Sequence, residues 1–254
     1  MTYAVLLASC VAAASFHQDP ATAAAGLKSA DPAARTRAAC ELREMGTAAS
    51  PAMSALVALL DDASPVDAAV CGERTWRWKG QDAATTPGEQ AASALVAIGS
   101  ASFDPLVRAV QSPEWIAREN AVWALGALDN HKAVPVVLGS LRDSEAAVRR
   151  RGAWALGALD ASEAVTALVG ALTDEDAGVR RQAAWALGAI GDRAGVDGLL
   201  KALNDSSPDV REQAAWALGA IGDSKATPGL AKALKDTDAR VRRQAAWALG
   251  AIGS

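Results

Sequence analysis

Apolar and polar residues alternate along this chain with a helical rhythm, and the rhythm itself repeats. Between Asp176 and Gly191, the residues Val179, Ala183, Ala186, Leu187 and Ile190 fall within one arc of about 100° on a helical wheel. The spacing predicts a helix from Asp176 through Ile190. A second stripe, Val196, Leu199, Leu200 and Leu203, predicts a shorter helix from about Ala194 to Leu203. Val165, Leu168, Val169 and Leu172 repeat that stripe one period earlier. Asp31, Asp176, Ser207 and Asp238 stand where a side-chain oxygen would take an orphan N–H, and Pro32 and Pro208 follow two of them. Gly191 and Gly222 read as left-handed caps that end the helices.

The larger period is marked by tryptophan. Trp123, Trp154, Trp185, Trp216 and Trp247 are each 31 residues apart, in nearly identical surroundings such as R-R-Q-A-A-W-A-L-G-A-I-G-D. Two degenerate copies precede them, one centred on Cys40 and one on Ser93, which makes seven. The interval from Cys40 to Ser93 exceeds one period, so an insertion lies between them. Two short helices per period, each marginal alone, must stack on their neighbours to bury their apolar faces. The pattern predicts an α-solenoid.

The motif D-x-x-x-x-V-R-x-x-A-A-x-A-L-G-x-I-G-D resembles the HEAT-like repeat named after phycobilisome lyases, over roughly residues 22–254. The resemblance implies an all-α, armadillo-like, right-handed α-solenoid of about seven helix pairs. It divides the chain into an apolar leader at 1–21 and an array at 22–254, interrupted by an insertion at about 72–88. This repeat serves many unrelated roles, so the resemblance concerns fold rather than function.

On the helical wheel Trp185 falls nearly opposite the core arc, beside Arg181 and Gly188. In HEAT-like arrays one helix of each pair lines the concave surface; if it is this helix, the resemblance implies a row of indoles along the groove. Two readings stand. The five indoles form an aromatic strip for an extended ligand, a use that suits their large apolar area and N–H donor. Alternatively, each lies across to the next repeat and packs over small residues such as Ala184 or Gly188. The recurrence of Gly126, Gly157, Gly188, Gly219 and Gly250 inside helices favours the second, because glycine there costs about 1 kcal/mol. Around the row the charges vary: Glu119, Arg150, Arg181, Glu212 and Arg243 stand four residues before each Trp, and Arg151 belongs to the only run of three arginines. Arg150, Arg151, Arg181 and Arg243 are taken with the five Trp as groove contacts, against the plainer account of a solvated face.

A second series is structural. Arg149, Arg180, Arg211 and Arg242 each follow Asp143, Asp174, Asp205 and Asp236 by six residues. In HEAT-like repeats the matching Asp and Arg form a hydrogen-bonded ladder between neighbouring repeats. Arg118 keeps the basic half, while Ser112 takes the place of its acid.

The insertion begins inside what should be a first helix starting at Ser64-Pro65-Val66 and resuming at Glu89. It carries Trp76, Arg77, Trp78 and Lys79. This alternating segment reads either as a contact loop or as a short ribbon covering the solenoid's edge. Trp115, in an ordinary helix start, reads as local packing. The N-terminus is apolar from Tyr3 to Ala14, too short for a membrane span. Its readings are a signal peptide with Ala12-Ala13-Ala14 as cleavage site, a lipoprotein box at Cys10, or a frayed capping helix, since no Lys or Arg precedes it. Export to the bacterial envelope is taken over a cytoplasmic location. Cys40 reads as a small packed residue; in an exported chain, Cys40–Cys71 would be the bridge to test.

Composition excludes several functions. The formal charge is −4 and basic residues are not concentrated in either half, so nucleic acid is not the expected partner. The two histidines, His17 and His131, stand in no metal-ligand spacing. Deoxyhypusine hydroxylase is built on similar repeats but holds iron through His-Glu pairs, and this chain has no His-Glu dipeptide. Phosphate-cradling Gly loops and nucleophile elbows are also missing. The expectation is a non-catalytic scaffold without cofactor, binding an unidentified protein or peptide. The alternatives are a phycobilin-lyase-like subunit handling tetrapyrroles and an exported carbohydrate binder. Val241, Ala245, Leu249 and Ile252 have no following helix in the sequence, which predicts end-to-end self-association or fraying there.

Overall fold

The computed structural model describes residues 19–71 and 84–253. The expected leader sites, Cys10 included, and Trp76, Arg77, Trp78 and Lys79 of the insertion lie outside these residues. Helices follow one another in α1 (Pro20–Gly26), α2 (Pro32–Met45), α3 (Met53–Val57), α4 (Pro87–Ile98), α5 (Phe103–Ala109), α6 (Trp115–Ala127) and α7 (Val134–Ser140). They continue in α8 (Ala146–Ala158), α9 (Val165–Ala171), α10 (Ala177–Ile190), α11 (Val196–Ala202), α12 (Pro208–Ile221), α13 (Thr227–Ala233) and α14 (Ala239–Ile252). The even-numbered helices are the long first helices of the seven copies, and the odd-numbered ones from α3 onward are the second helices. The array is an all-α solenoid.

Most boundaries fall where the sequence places them. Asp176 accepts from the N–H of Val179, Asp31 from Ala33 and Asp238 from Arg240. Gly191 and Gly222 adopt φ of 72° and 71°, the left-handed region that ends a helix cheaply only with glycine. Two expectations fail in detail. Ser207 makes no side-chain cap, its place on the first turn being held by Pro208 alone. The second helices also open as a single 3₁₀ turn, such as Arg193–Gly195 before α11, and become α-helical only at Val196.

The insertion departs further from expectation. No helix starts at Ser64: Val66–Asp67 (β1) pairs antiparallel with Ala84–Thr85 (β2), and a 3₁₀ turn follows over Ala68–Cys71. The helix of this copy is α4 alone, started at Pro87 by a capping box in which Thr86 and Glu89 satisfy each other's backbone N–H groups. The insertion therefore leaves the array through a two-stranded stem rather than by splitting a helix. Cys40 on α2 is packed, as expected, and is disulfide-bonded to Cys71, which pins this stem to the first copy.

The two layers pack differently. Successive first helices touch closely along their length, whereas successive second helices make few contacts with one another. Clefts of about 600 Å³ open between α3 and α5 and between α11 and α13. Tight spacing in one layer and loose spacing in the other bend the array, with the first helices on its inner, concave side.

Glycine makes the tight spacing feasible. A Cβ on Gly188 would lie 2.8 Å from Cα of Ala217 and 2.7 Å from Cζ3 of Trp216. Gly157 and Gly219 meet Ala186 and Trp185, and Ala248 and Trp247, in the same way. Gly170 on α9 faces nothing within 4 Å, and Lys201 and Lys232 occupy its register in later copies. Gly188→Ala is thus expected to destabilise by about 1–3 kcal/mol through overpacking against backbone. Gly170→Ala should instead stabilise by about 0.5–1 kcal/mol through helix propensity. Urea melts of the two variants check the opposite signs; a shift in the same direction would contradict the packing just described.

Candidate concave binding face

Four of the five indoles of the row are held by the copy before them. The Cζ3 edge of Trp154, Trp185, Trp216 and Trp247 lies over Gly126, Gly157, Gly188 and Gly219, respectively. The packing runs back to the preceding repeat, opposite to the direction expected from the sequence. It does not bury the rings completely: Trp123, Trp154, Trp185 and Trp216 are half-buried and packed against the core, and Trp247 is 49% exposed. Trp123 and Trp154 stack with planes 15° apart and centroids 6.4 Å apart. Packing between copies is therefore present without closing off the rings: one edge of each of Trp154, Trp185, Trp216 and Trp247 fills the space that glycine leaves, and part of the ring stays accessible to solvent. Trp115, expected to be local packing, is instead 40% exposed.

Ring accessibility gives a measurable consequence. With Trp76, Trp78 and Trp115 replaced by Phe, the emission of the five remaining indoles should be red-shifted and quenched by acrylamide in the native state. A blue, quencher-resistant emission would mean that the rings are buried.

The arginines beside the row divide into two kinds. Arg151 is half-buried and its Nη2 donates to Oε1 of Glu119 on the preceding copy at 3.1 Å, so it is spent within the array. Arg150, Arg181 and Arg243 are exposed and form no salt bridge among the described residues. Arg150 reaches toward the next copy, its Cδ 3.5 Å from the position a Cβ of Gly178 would take. Toward the helix N-termini the acids Asp209, Glu212 and Asp238 share the guanidinium of Arg240, at 2.8, 3.5 and 3.1 Å.

The ladder runs along the rim of the array, at the entry to each first helix. Arg149 clasps Asp174 of the next copy through Nε and Nη2 at 2.8 and 2.9 Å, while its Nη1 donates to the carbonyls of Asp143 and Ser144 in its own copy. Arg118–Asp143, Arg180–Asp205 and Arg211–Asp236 repeat this geometry. Each Asp also accepts the N–H two residues on, as Asp174 does from Asp176. Arg242, placed in the ladder by its spacing, clasps no carboxylate among the described residues; it is exposed and donates there to the carbonyls of Asp236 and Thr237.

Because the partner comes from the following copy, Arg118 is fully paired despite Ser112. The empty rung lies one copy earlier, where Gly88 stands in the arginine position and Ser112 in that of its acid. Both halves are missing together, which leaves no buried charge uncompensated. The sequence reading missed one rung, Arg35–Asp62 at 2.6 Å: Arg35 keeps the register of the repeat, but Asp62 lies 27 residues on where the other rungs have 25.

The ladder carboxyls lie below the usual Asp range. For Asp62, Asp174 and Asp205 burial pushes the pKa up, but the arginine and backbone hydrogen bonds together outweigh it. For Asp143 and Asp236 the arginine hydrogen bond is the largest influence. This is the signature of a structural clasp and not of a general acid or base. No group of three metal-ligating side chains occurs among the described residues, and none of their helices is long and apolar enough to cross a membrane.

Known proteins agree with this architecture. The phycocyanin lyase complex of CpcE and CpcF from Nostoc sp. PCC7120 is similar in fold, with 23% identity, a TM-score of 0.50, and coverage of 98% of this chain and 92% of that one. Yeast importin-β (Kap95p) is similar at 16% identity and a TM-score of 0.66; 91% of this chain corresponds to 37% of importin-β. An engineered protein is similar at 23% identity and a TM-score of 0.53, over 93% of this chain and 97% of its own. At these identities the likeness concerns the fold alone. No curated protein matches the chain in sequence. The sequence model for HEAT repeats matches residues 87–153, 140–199 and 196–254, together more than half of the chain. The chain belongs to the HEAT-repeat family.

Proposed function

We propose that this chain is a non-catalytic scaffold that binds an extended protein segment along its concave face. The observation that carries the reading is the indole row: four rings fixed over glycine yet open to the groove, in a surface already organised for contact. A photo-crosslinking residue at Ala189, exposed on α10 one turn beyond Trp185, should capture the partner. The same probe at Lys201, exposed on α11 in the outer layer, should not. Capture from Lys201 alone would move the site to the outer layer. A tetrapyrrole ligand, the second reading carried from the sequence resemblance, predicts a visible absorbance shift when bilin is mixed with the protein. The present reading predicts none.

We also propose that the protein works in an oxidising compartment of the bacterial envelope. The Cys40–Cys71 bridge supports this, since such bridges rarely persist in a reducing cytosol. Thiol labelling of the protein in intact cells of its source, with the two cysteines blocked from reaction until a reductant is added, is the expected result.

A further inference from the structure

The groove is chemically asymmetric in a way that selects its occupant. Four residues before each Trp the row reads Glu119, Arg150, Arg181, Glu212, Arg243. Glu119 is paired within the array to Arg151, while Glu212 shares the single guanidinium of Arg240 with Asp209 and Asp238, which leaves that cluster acidic. The three arginines are exposed and form no salt bridge among the described residues. Unpaired positive charge thus stands at Arg150, Arg181 and Arg243, one helical turn from an indole in each case, with acidic charge left around Glu212 between Arg181 and Arg243.

We infer that the concave face recognises an extended acidic peptide segment, with carboxylates set against Arg150, Arg181 and Arg243 and apolar side chains laid on the indoles between them. This inference rests on the groove reading proposed above and adds the chemistry and spacing of the partner. Neighbouring first helices pack about 8–10 Å apart, and an extended chain advances about 3.3 Å per residue. One copy thus corresponds to about three peptide residues. Arg150 and Arg181 lie on adjacent copies, and Arg243 lies two copies beyond Arg181. The expected segment carries two acidic residues about three apart and a third about six further along.

A nucleic acid strand suits the groove less well. It bears a phosphate at every nucleotide and would have to set charge against Glu212 and the Asp209–Asp238 cluster, which share one guanidinium. A peptide can leave those positions neutral or basic. Guanidinium groups also clasp carboxylates in bidentate fashion, and half-desolvated indole beside them favours apolar side chains over bare backbone.

The test is selection of random twelve-residue peptides displayed against the full chain, with a single-stranded oligonucleotide as competitor. Selected peptides should be enriched in Asp and Glu at a spacing of about three and then six, and should bind at least tenfold more tightly than their Gln or Asn versions. Arg150→Glu, Arg181→Glu and Arg243→Glu combined should lose these peptides and select basic ones; all three residues are exposed, so unchanged helical circular dichroism is expected. Selected peptides without acidic preference, insensitive to the arginine changes but shifting indole emission, would overturn this inference and leave the groove reading standing. Equal displacement of acidic peptides by the oligonucleotide would overturn it in favour of a general polyanion site. No selected peptide that shifts indole emission would overturn both.

Discussion

Asp174→Ala is expected to destabilise the array by about 2–4 kcal/mol, and Asp209→Ala to leave the melting midpoint almost unchanged. The Arg149 and Asp174 side chains are only 9% and 12% exposed. Removing the carboxylate strands the arginine and frees the N–H of Asp176 at once. The ladder lies at the rim, close to water, so the cost falls toward the lower part of the range known for broken buried pairs. Asp209 also faces an arginine, Arg240, but both side chains are about half exposed, and such pairs contribute little. Equal shifts for the two variants would sink the ladder as a structural device. The same carboxyls set the response to acid. Their folded pKa values lie below the ordinary value of about 3.9, so their contribution is complete above that pH and is lost as pH falls through the folded values. The melting temperature should be level from neutrality to about pH 5 and fall steeply below about pH 4, with uptake of several protons.

Breaking the Cys40–Cys71 bridge has a comparable but local effect. Its separation of 31 residues corresponds to about 3–4 kcal/mol of chain entropy withheld from the unfolded state. In a solenoid each copy contacts only its neighbours, so the loss should not spread evenly. In the Cys40→Ala, Cys71→Ala double variant, hydrogen exchange should accelerate in α2 and in the ribbon of β1 and β2. The helices α8 to α12 should keep their protection. Uniform acceleration along the whole chain would show that the array unfolds as one unit.

The sequence revealed much of this architecture because the repeat is written five times over. Helix starts at Asp176 and Asp238, the caps at Gly191 and Gly222 and both apolar stripes follow from local rules. What escaped it depends on contacts between copies. Periodicity shows that Arg149 and Asp143 keep step, but not that the carboxylate clasped is Asp174, one copy on. It places Trp185 opposite the core, but cannot show that Gly157 of the preceding copy receives its edge. Arg150 and Arg151 are adjacent in sequence and alike in type, and only the position of Glu119 makes one spent and the other free. The stem of the insertion was hidden for a different reason: Ser64-Pro65-Val66 satisfies the rules for a helix start, and pairing with Ala84–Thr85 overrides them. Thr86 and Glu89 spelled the true start three residues apart.

The indole row is the proposed binding surface, and the indole Nε1–H signals of the protein test this directly. With a selected peptide added to the full chain, the signals of Trp123, Trp154, Trp185 and Trp216 should shift, and the backbone amides of α9, α11 and α13 in the outer layer should not. Unmoved indole signals beside shifted amides in those outer helices would contradict the account and place binding on the convex face.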